Sequence, residues 1–137
     1  MGFSRHFLKE NNFLLTRVSG DINKTNLMEH MIAFNNETSG ISDLRELGDL
    51  RGIESLDELS VSQTTRLAGI ENSHPGFLLA MVTDENPLVY GMARAFQMFA
   101  ENNKKEVRVF KDMDEALSWI AKDDEEFDVL KAFIENA

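Results

Sequence analysis

Phe77-Leu78-Leu79-Ala80-Met81-Val82 is a run of six apolar residues without a break, and it constrains this 137-residue chain more than any other stretch. A strand with one wet face alternates apolar and polar residues, so an unbroken run requires cover on both faces. The run is far too short to cross a bilayer, which takes roughly 20 residues. The next segment of the chain agrees with a layered fold. Asn86-Pro87 offers an N-cap and a first helical residue, and Leu88, Met92, Phe96 and Phe99 continue as one stripe to about Asn102. A covered strand handing on to a helix is the unit from which parallel sheets flanked by helices are built.

The remaining elements fit that unit. Phe13-Leu14-Leu15-Thr16-Arg17-Val18 reads as a strand stopped at Ser19-Gly20-Asp21, and an earlier strand around 6–9, turned by Glu10-Asn11-Asn12, pairs with it as a hairpin. Asn23 caps a helix with Leu27, Met28, Met31 and Ile32 on one face. The 45–51 stretch is assigned to a strand although Gly48 and Gly52 interrupt it, and Val61, Thr64, Thr65 and Ala68 suggest a short helix. Glu106-Val107-Arg108-Val109-Phe110 alternates with period two, and Asp112 with Glu115 forms a capping box ahead of Met113, Ala116, Leu117 and Ile120. Asp123-Asp124-Glu125-Glu126 then opens a last amphipathic helix with Phe127, Leu130, Phe133 and Ile134. The expected fold is a single α/β domain over 1–122, with a mostly parallel sheet of about five strands flanked by helices. The helix over 123–137 packs on that domain or on a dimer partner.

Charge and composition narrow the function. The 24 acidic against 14 basic residues leave a net charge of −10, a field that repels nucleic-acid phosphates and anionic headgroups. No cysteine is present, which removes disulfides, thiolate metal ligands and a cysteine nucleophile together, and fits a cytoplasmic protein. The charged first ten residues lack the apolar run of a signal peptide. Nucleic-acid binding and stable membrane insertion are therefore not expected.

No motif carries recognisable catalysis. His6, His30 and His74 have no metal-ligand spacing and read as surface or half-buried structural residues. The acidic clusters at 112–115 and 123–126 are explained by the positive ends of the helices they open. Gly48, Gly52 and Gly69 make no phosphate-binding loop, and Thr38-Ser39-Gly40-Ile41-Ser42 is no nucleophile elbow. Neither a catalytic residue, a metal ligand nor a cofactor is assigned. Tyr90 and Arg94 share a helical face at i, i+4, and Arg51 at a strand end converges with them if a ligand sits beyond the carboxyl ends of the strands, so Arg51, Tyr90 and Arg94 are the candidate ligand-binding residues. The plain alternative is an ordinary surface ion pair for Arg94 and edge packing for Tyr90. Gly91, Ala93 and Ala95 let their helix approach a neighbour closely, or form a dimer seam if exposed. Seven Met and ten Phe either fill the core or line an adaptable apolar pocket.

Three stretches resemble the SpoIIAA-like, or STAS/Sec14-like, bacterial proteins: Gly48-Asp49-Leu50-Arg51-Gly52, Leu88-Val89-Tyr90-Gly91-Met92-Ala93-Arg94-Ala95-Phe96 and Val107-Arg108-Val109-Phe110-Lys111-Asp112-Met113-Asp114-Glu115-Ala116-Leu117-Ser118-Trp119-Ile120. The resemblance covers roughly residues 5 to 121 in element order. It implies a small α/β sandwich used for binding and regulation, with related folds that carry phosphoserine switches or apolar ligands. In the anti-sigma-antagonist branch the phosphorylated serine follows the third strand in an Asp-Ser-Ser-Gly-like context. Here Leu56-Asp57-Glu58-Leu59-Ser60-Val61-Ser62 stands in that place, so Ser60 and Ser62 are the candidate phosphorylation sites, although the flanking motif is absent. The expectation is a non-enzymatic regulatory or binding module acting through a protein partner or as a homodimer. The alternative is a carrier of a small apolar or lipid-like ligand held among Phe and Met side chains under the 86–101 helix.

Overall fold

Five strands form one sheet in the order β1-β2-β3-β4-β5: β1 Gly2–Leu8, β2 Phe13–Ile22, β3 Arg45–Leu56, β4 Leu78–Val82 and β5 Glu106–Phe110. The computed structural model describes residues 2–56, 76–102 and 106–137. β1 and β2 pair antiparallel as the N-terminal hairpin, and every later pairing is parallel. Among the described residues four α-helices accompany the sheet: α1 Lys24–Thr38, α2 Pro87–Asn102, α3 Met113–Ile120 and α4 Asp124–Asn136. The short helix expected around Val61 to Ala68 lies outside the described residues, as do Ser60, Ser62 and His74. No described helix is long and apolar enough to cross a membrane.

The strand order places the helices. A right-handed crossover between parallel strands that always step the same way lays every crossover helix on the same face. α1 and α2 accordingly share one core with the sheet, where Leu14, Val18, Phe34, Leu79, Val89 and Phe96 meet. α3 and α4 follow the last strand, are not crossovers, and cover the other face through Leu15, Leu47, Val82, Leu117, Leu130 and Ile134. The period-two alternation is visible within β2, where Phe13 and Leu15 point one way and Leu14 the other. Both faces of β4 are thereby covered, which is what its apolar run demanded.

Several local expectations change. β2 does not stop at Ser19 but continues to Ile22 through register shifts between Arg17 and Ser19 and between Gly20 and Asp21. Gly20 takes φ +78°, a bulge conformation open to glycine, so a turn signal marks an irregularity inside the strand. Opposite the first shift, a Cβ on Gly52 would lie 3.0 Å from the Val18 carbonyl oxygen. The glycine is therefore what lets a 12-residue β3 pass the bulge. On α2 the buried stripe is Val89, Ala93, Phe96 and Ala100, whereas Leu88 is 72% exposed. A Cβ on Gly91 would meet nothing, so close approach rests on Ala93 and not on that glycine. Ile32 on α1 is likewise exposed.

The caps agree with the sequence more closely. Asn23 and Asn26 exchange side-chain to backbone hydrogen bonds, both 2.9 Å, in a complete capping box. At α3 the Asp112 carboxylate accepts from the Glu115 N–H at 3.0 Å, but the reciprocal bond is absent. Asn86 Oδ1 accepts from the N–H groups of Leu88 and Val89, and Asp123 Oδ1 from that of Glu126.

α4 packs on its own chain. Leu130 and Ile134 are buried, and the Arg17 guanidinium donates to the carbonyls of Ile134 and Ala137. Arg45, 5% exposed in β3, donates to both carboxylate oxygens of Glu126 and to the carbonyls of Ile120 and Asn11. The apolar face that a second copy of this helix would need is thus already occupied.

Candidate functional site

Between the sheet and the helices α1 and α2 lies a cavity of about 80 Å³. Its wall is almost entirely apolar: Val18 and Leu50 from the sheet, Leu27 and Met31 from α1, Met92 and Phe96 from α2. Gly48 belongs to the sheet side of this wall, and the missing side chain there is part of the space.

Three polar side chains reach the same wall. Alternation along β3 sends Arg45 toward α4 and therefore Glu46 toward the cavity, where it is 2% exposed. Thr16 Oγ1, from the adjoining strand, donates to Glu46 Oε2 at 2.6 Å. His30 comes from α1, and its ring stacks on Phe3 of β1 with centroids 4.3 Å apart and planes 9° from parallel. Arg5 Nη1 lies 3.2 Å from His30 Nδ1. A guanidinium can only donate, so Nδ1 is the acceptor. Arg5 is itself held by both oxygens of Glu37 at 3.0 and 3.1 Å.

The electrostatics arise from this chain of contacts. Burial pushes the His30 pKa below its ordinary value, and the Arg5 charge adds to that, with the fields of Glu46 and Glu37 opposing. The imidazole is therefore neutral near pH 7 and, with Nδ1 accepting, carries its proton on Nε2. Hydrogen bonding from Arg5 holds the Glu37 carboxyl below the usual carboxylate range.

A second concavity, a polar groove of about 520 Å³, runs outside the first between β1 and α1 and is lined by Gly2, Arg5, Asp21, Asn26 and Glu29. Phe3 and His30 line both spaces. The stacked pair is a partition between an apolar interior and a charged exterior.

The residues singled out from the sequence stand elsewhere. Arg51 is clamped to Asp49 through two 2.9 Å hydrogen bonds, and Asp84 and Asp112 add to the negative field around it. Tyr90 is 37% exposed with Lys111 Nζ 4.8 Å from its ring centroid, and Arg94 donates to Gln97 at 3.0 Å. Among the described residues no hydrogen bond or ion pair joins any two of Arg51, Tyr90 and Arg94. The topology gives the reason: ligands of open α/β sheets bind where the strand order reverses, and β2 to β5 advance in one direction without a reversal. Among the described residues no group of three or more His, Asp and Glu is placed to hold a metal ion.

The architecture can be set beside known ones. A protein of the DUF3478 family with a SpoIIAA-like fold, from Shewanella loihica, superposes with a TM-score of 0.62 over 88% of this chain and 93% of its own, at 15% identity. The fold is SpoIIAA-like. A second match is an anti-sigma factor antagonist from Mycobacterium paratuberculosis, with a TM-score of 0.54, 13% identity, and coverage of 87% and 94% of the two chains. No family model and no curated protein matches the sequence. At these identities the likeness establishes the fold alone, as the resemblance of the three motifs implied.

Sequence reading passed over Thr16, Glu46, Phe3 and Arg5. One signal was available. Arg45-Glu46 is a charged pair between Leu44 and Leu47, and in a strand covered on both faces such a pair must send one charge into each core.

Proposed function

We propose that this SpoIIAA-like chain is a non-enzymatic binding module, and that what it binds is a small apolar molecule. The observation carrying this reading is the cavity between the sheet and α1/α2, where Phe3, Met31, Met81, Met92 and Phe96 share the wall with Val, Leu and Ile side chains. Its size favours the smaller of the two kinds of ligand. An apolar cavity of about 150 Å³ stays dry and takes benzene or xenon. At about 80 Å³ this one suits a few carbon atoms and is too small for a lipid chain.

Methyl NMR of the intact protein titrated with n-butanol tests the reading, with Met31, Met81 and Met92 as reporters. Saturable shifts confined to those methyls are expected. Gly48→Ala provides the control, because its Cβ would stand 3.9 Å from Leu79 Cδ1 and Met81 Cγ and so occupies space without strain. It should weaken binding severalfold while leaving the fold intact, and no response in the wild-type protein overturns the reading.

A second reading, contact with a protein partner or a second copy, is favoured by Leu88 and Met98 of α2, apolar side chains 72% and 59% exposed. A protein with this fold is an anti-sigma factor antagonist. Native mass spectrometry of the untagged protein is expected to show an added subunit that Leu88→Glu with Met98→Glu removes. A monomer mass alone in the wild type overturns the second-copy form of this reading.

A further inference from the structure

Phe3 and His30 stack on one another and line both the apolar cavity and the polar groove, so a molecule seated in the cavity reaches the groove once that layer opens. The charges outside that layer are unequal. Of the three charged residues lining the groove, Arg5 is engaged by Glu37 and by His30. Asp21 accepts from the Ser55 hydroxyl at 2.7 Å, and no cation pairs with it among the described residues. Glu29, exposed on α1, makes no hydrogen bond or ion pair among the described residues. The Asn26 side chain is occupied on both ends, accepting from the Asn23 N–H and donating to the Asp21 carbonyl. Among the described residues the groove is therefore faced by two carboxylates whose charge no cation pairs, on a chain of net charge −10.

We infer that cavity and groove form one site for a small amphipathic amine, with a short alkyl end in the cavity and an ammonium head between Asp21 and Glu29. The inference rests on the cavity reading above and adds the head group to it. Chain length is bounded by the roughly 80 Å³ inside, and head-group sign by the carboxylates outside. Entry requires the Phe3 ring to swing off His30. Phe3 is only partly buried, at the rim of the core on the edge strand β1.

The test titrates the intact protein with n-butylamine, n-butanol and sodium butyrate, and separately with xenon, reading the Met31, Met81 and Met92 methyls. Butylamine is expected to bind up to about fivefold more tightly than butyrate, the size of preference a solvent-screened ion pair supplies. Asp21→Asn combined with Glu29→Gln, both at exposed positions, should erase that ratio and leave n-butanol affinity unchanged. Equal affinity for all three head groups, or a ratio that survives the double substitution, overturns the groove assignment while the cavity reading stands. Silence toward every probe, xenon included, overturns both.

Discussion

Replacing Arg45 by methionine is expected to destabilise the fold by about 3–5 kcal/mol, because it strands the Glu126 carboxylate against a nearly closed interface. The Arg45 side chain is 6% exposed and that of Glu126 10%, and the bidentate pair is completed by the carbonyls of Ile120 and Asn11. Urea unfolding of both proteins at pH 7 measures the loss. Removing both charges together, as Arg45→Met with Glu126→Leu, should recover most of it, since the desolvation of both ions is then no longer required. If the double variant is as unstable as the single one, the carbonyl contacts of Arg45 and not its ion pair hold α4 in place. The pH dependence has a defined sign. Hydrogen bonding from Arg45, aided by Asn11 and the Lys122 N–H, holds the Glu126 carboxyl down to about 2 against an ordinary 4.5. A depressed carboxylate contributes stability that is full above pH 4.5 and lost as pH falls toward 2. Glu126→Gln should therefore flatten that acid limb relative to the wild type.

Leu130→Ala is expected to cost about 2–5 kcal/mol, the range for truncating a fully enclosed leucine. Leu130 is 0% exposed within the core formed with Leu15, Leu47, Ala116 and Leu117. The neighbouring Val129, 44% exposed, supplies the contrast: Val129→Ala should change stability by no more than about 0.5 kcal/mol. Thermal and urea unfolding at two protein concentrations check both. A concentration-independent loss for Leu130→Ala means that the residue completes the core of its own chain. A loss that vanishes on dilution means that α4 is held by another copy.

The elements were legible where local chemistry dominates. Asn23, Asn86 and Asp123 satisfy orphan N–H groups at the helix starts they were expected to begin. The alternation of β5 and the apolar run of β4 state their own burial. Glycine was misread in β2 and left ambiguous in β3 for a common reason: a glycine marks a place where a side chain is unwelcome, and does not say whether the cause is a turn or a neighbouring strand. At Gly20 and Gly52 the cause is the bulge between β2 and β3. On α2 the expected stripe kept Phe96, but its start moved on by one residue, from Leu88 to Val89. Leu88 and Val89 are equally apolar, and only the position of the sheet decides which of them is buried.

The sequence by itself determined the class of the molecule: period-two and unbroken apolar strands separated by capped amphipathic helices specify a layered, mostly parallel α/β domain, and its acidity and lack of cysteine narrow what it binds. Only the tertiary structure decided which residues meet. Phe3, Arg5, Thr16, His30 and Glu46 come from a hairpin, a crossover helix and a central strand, and no local pattern links positions 25 or 30 residues apart. Their convergence is a product of strand order and of the one-sided crossovers that order imposes, which are properties of the assembled sheet and of no segment within it.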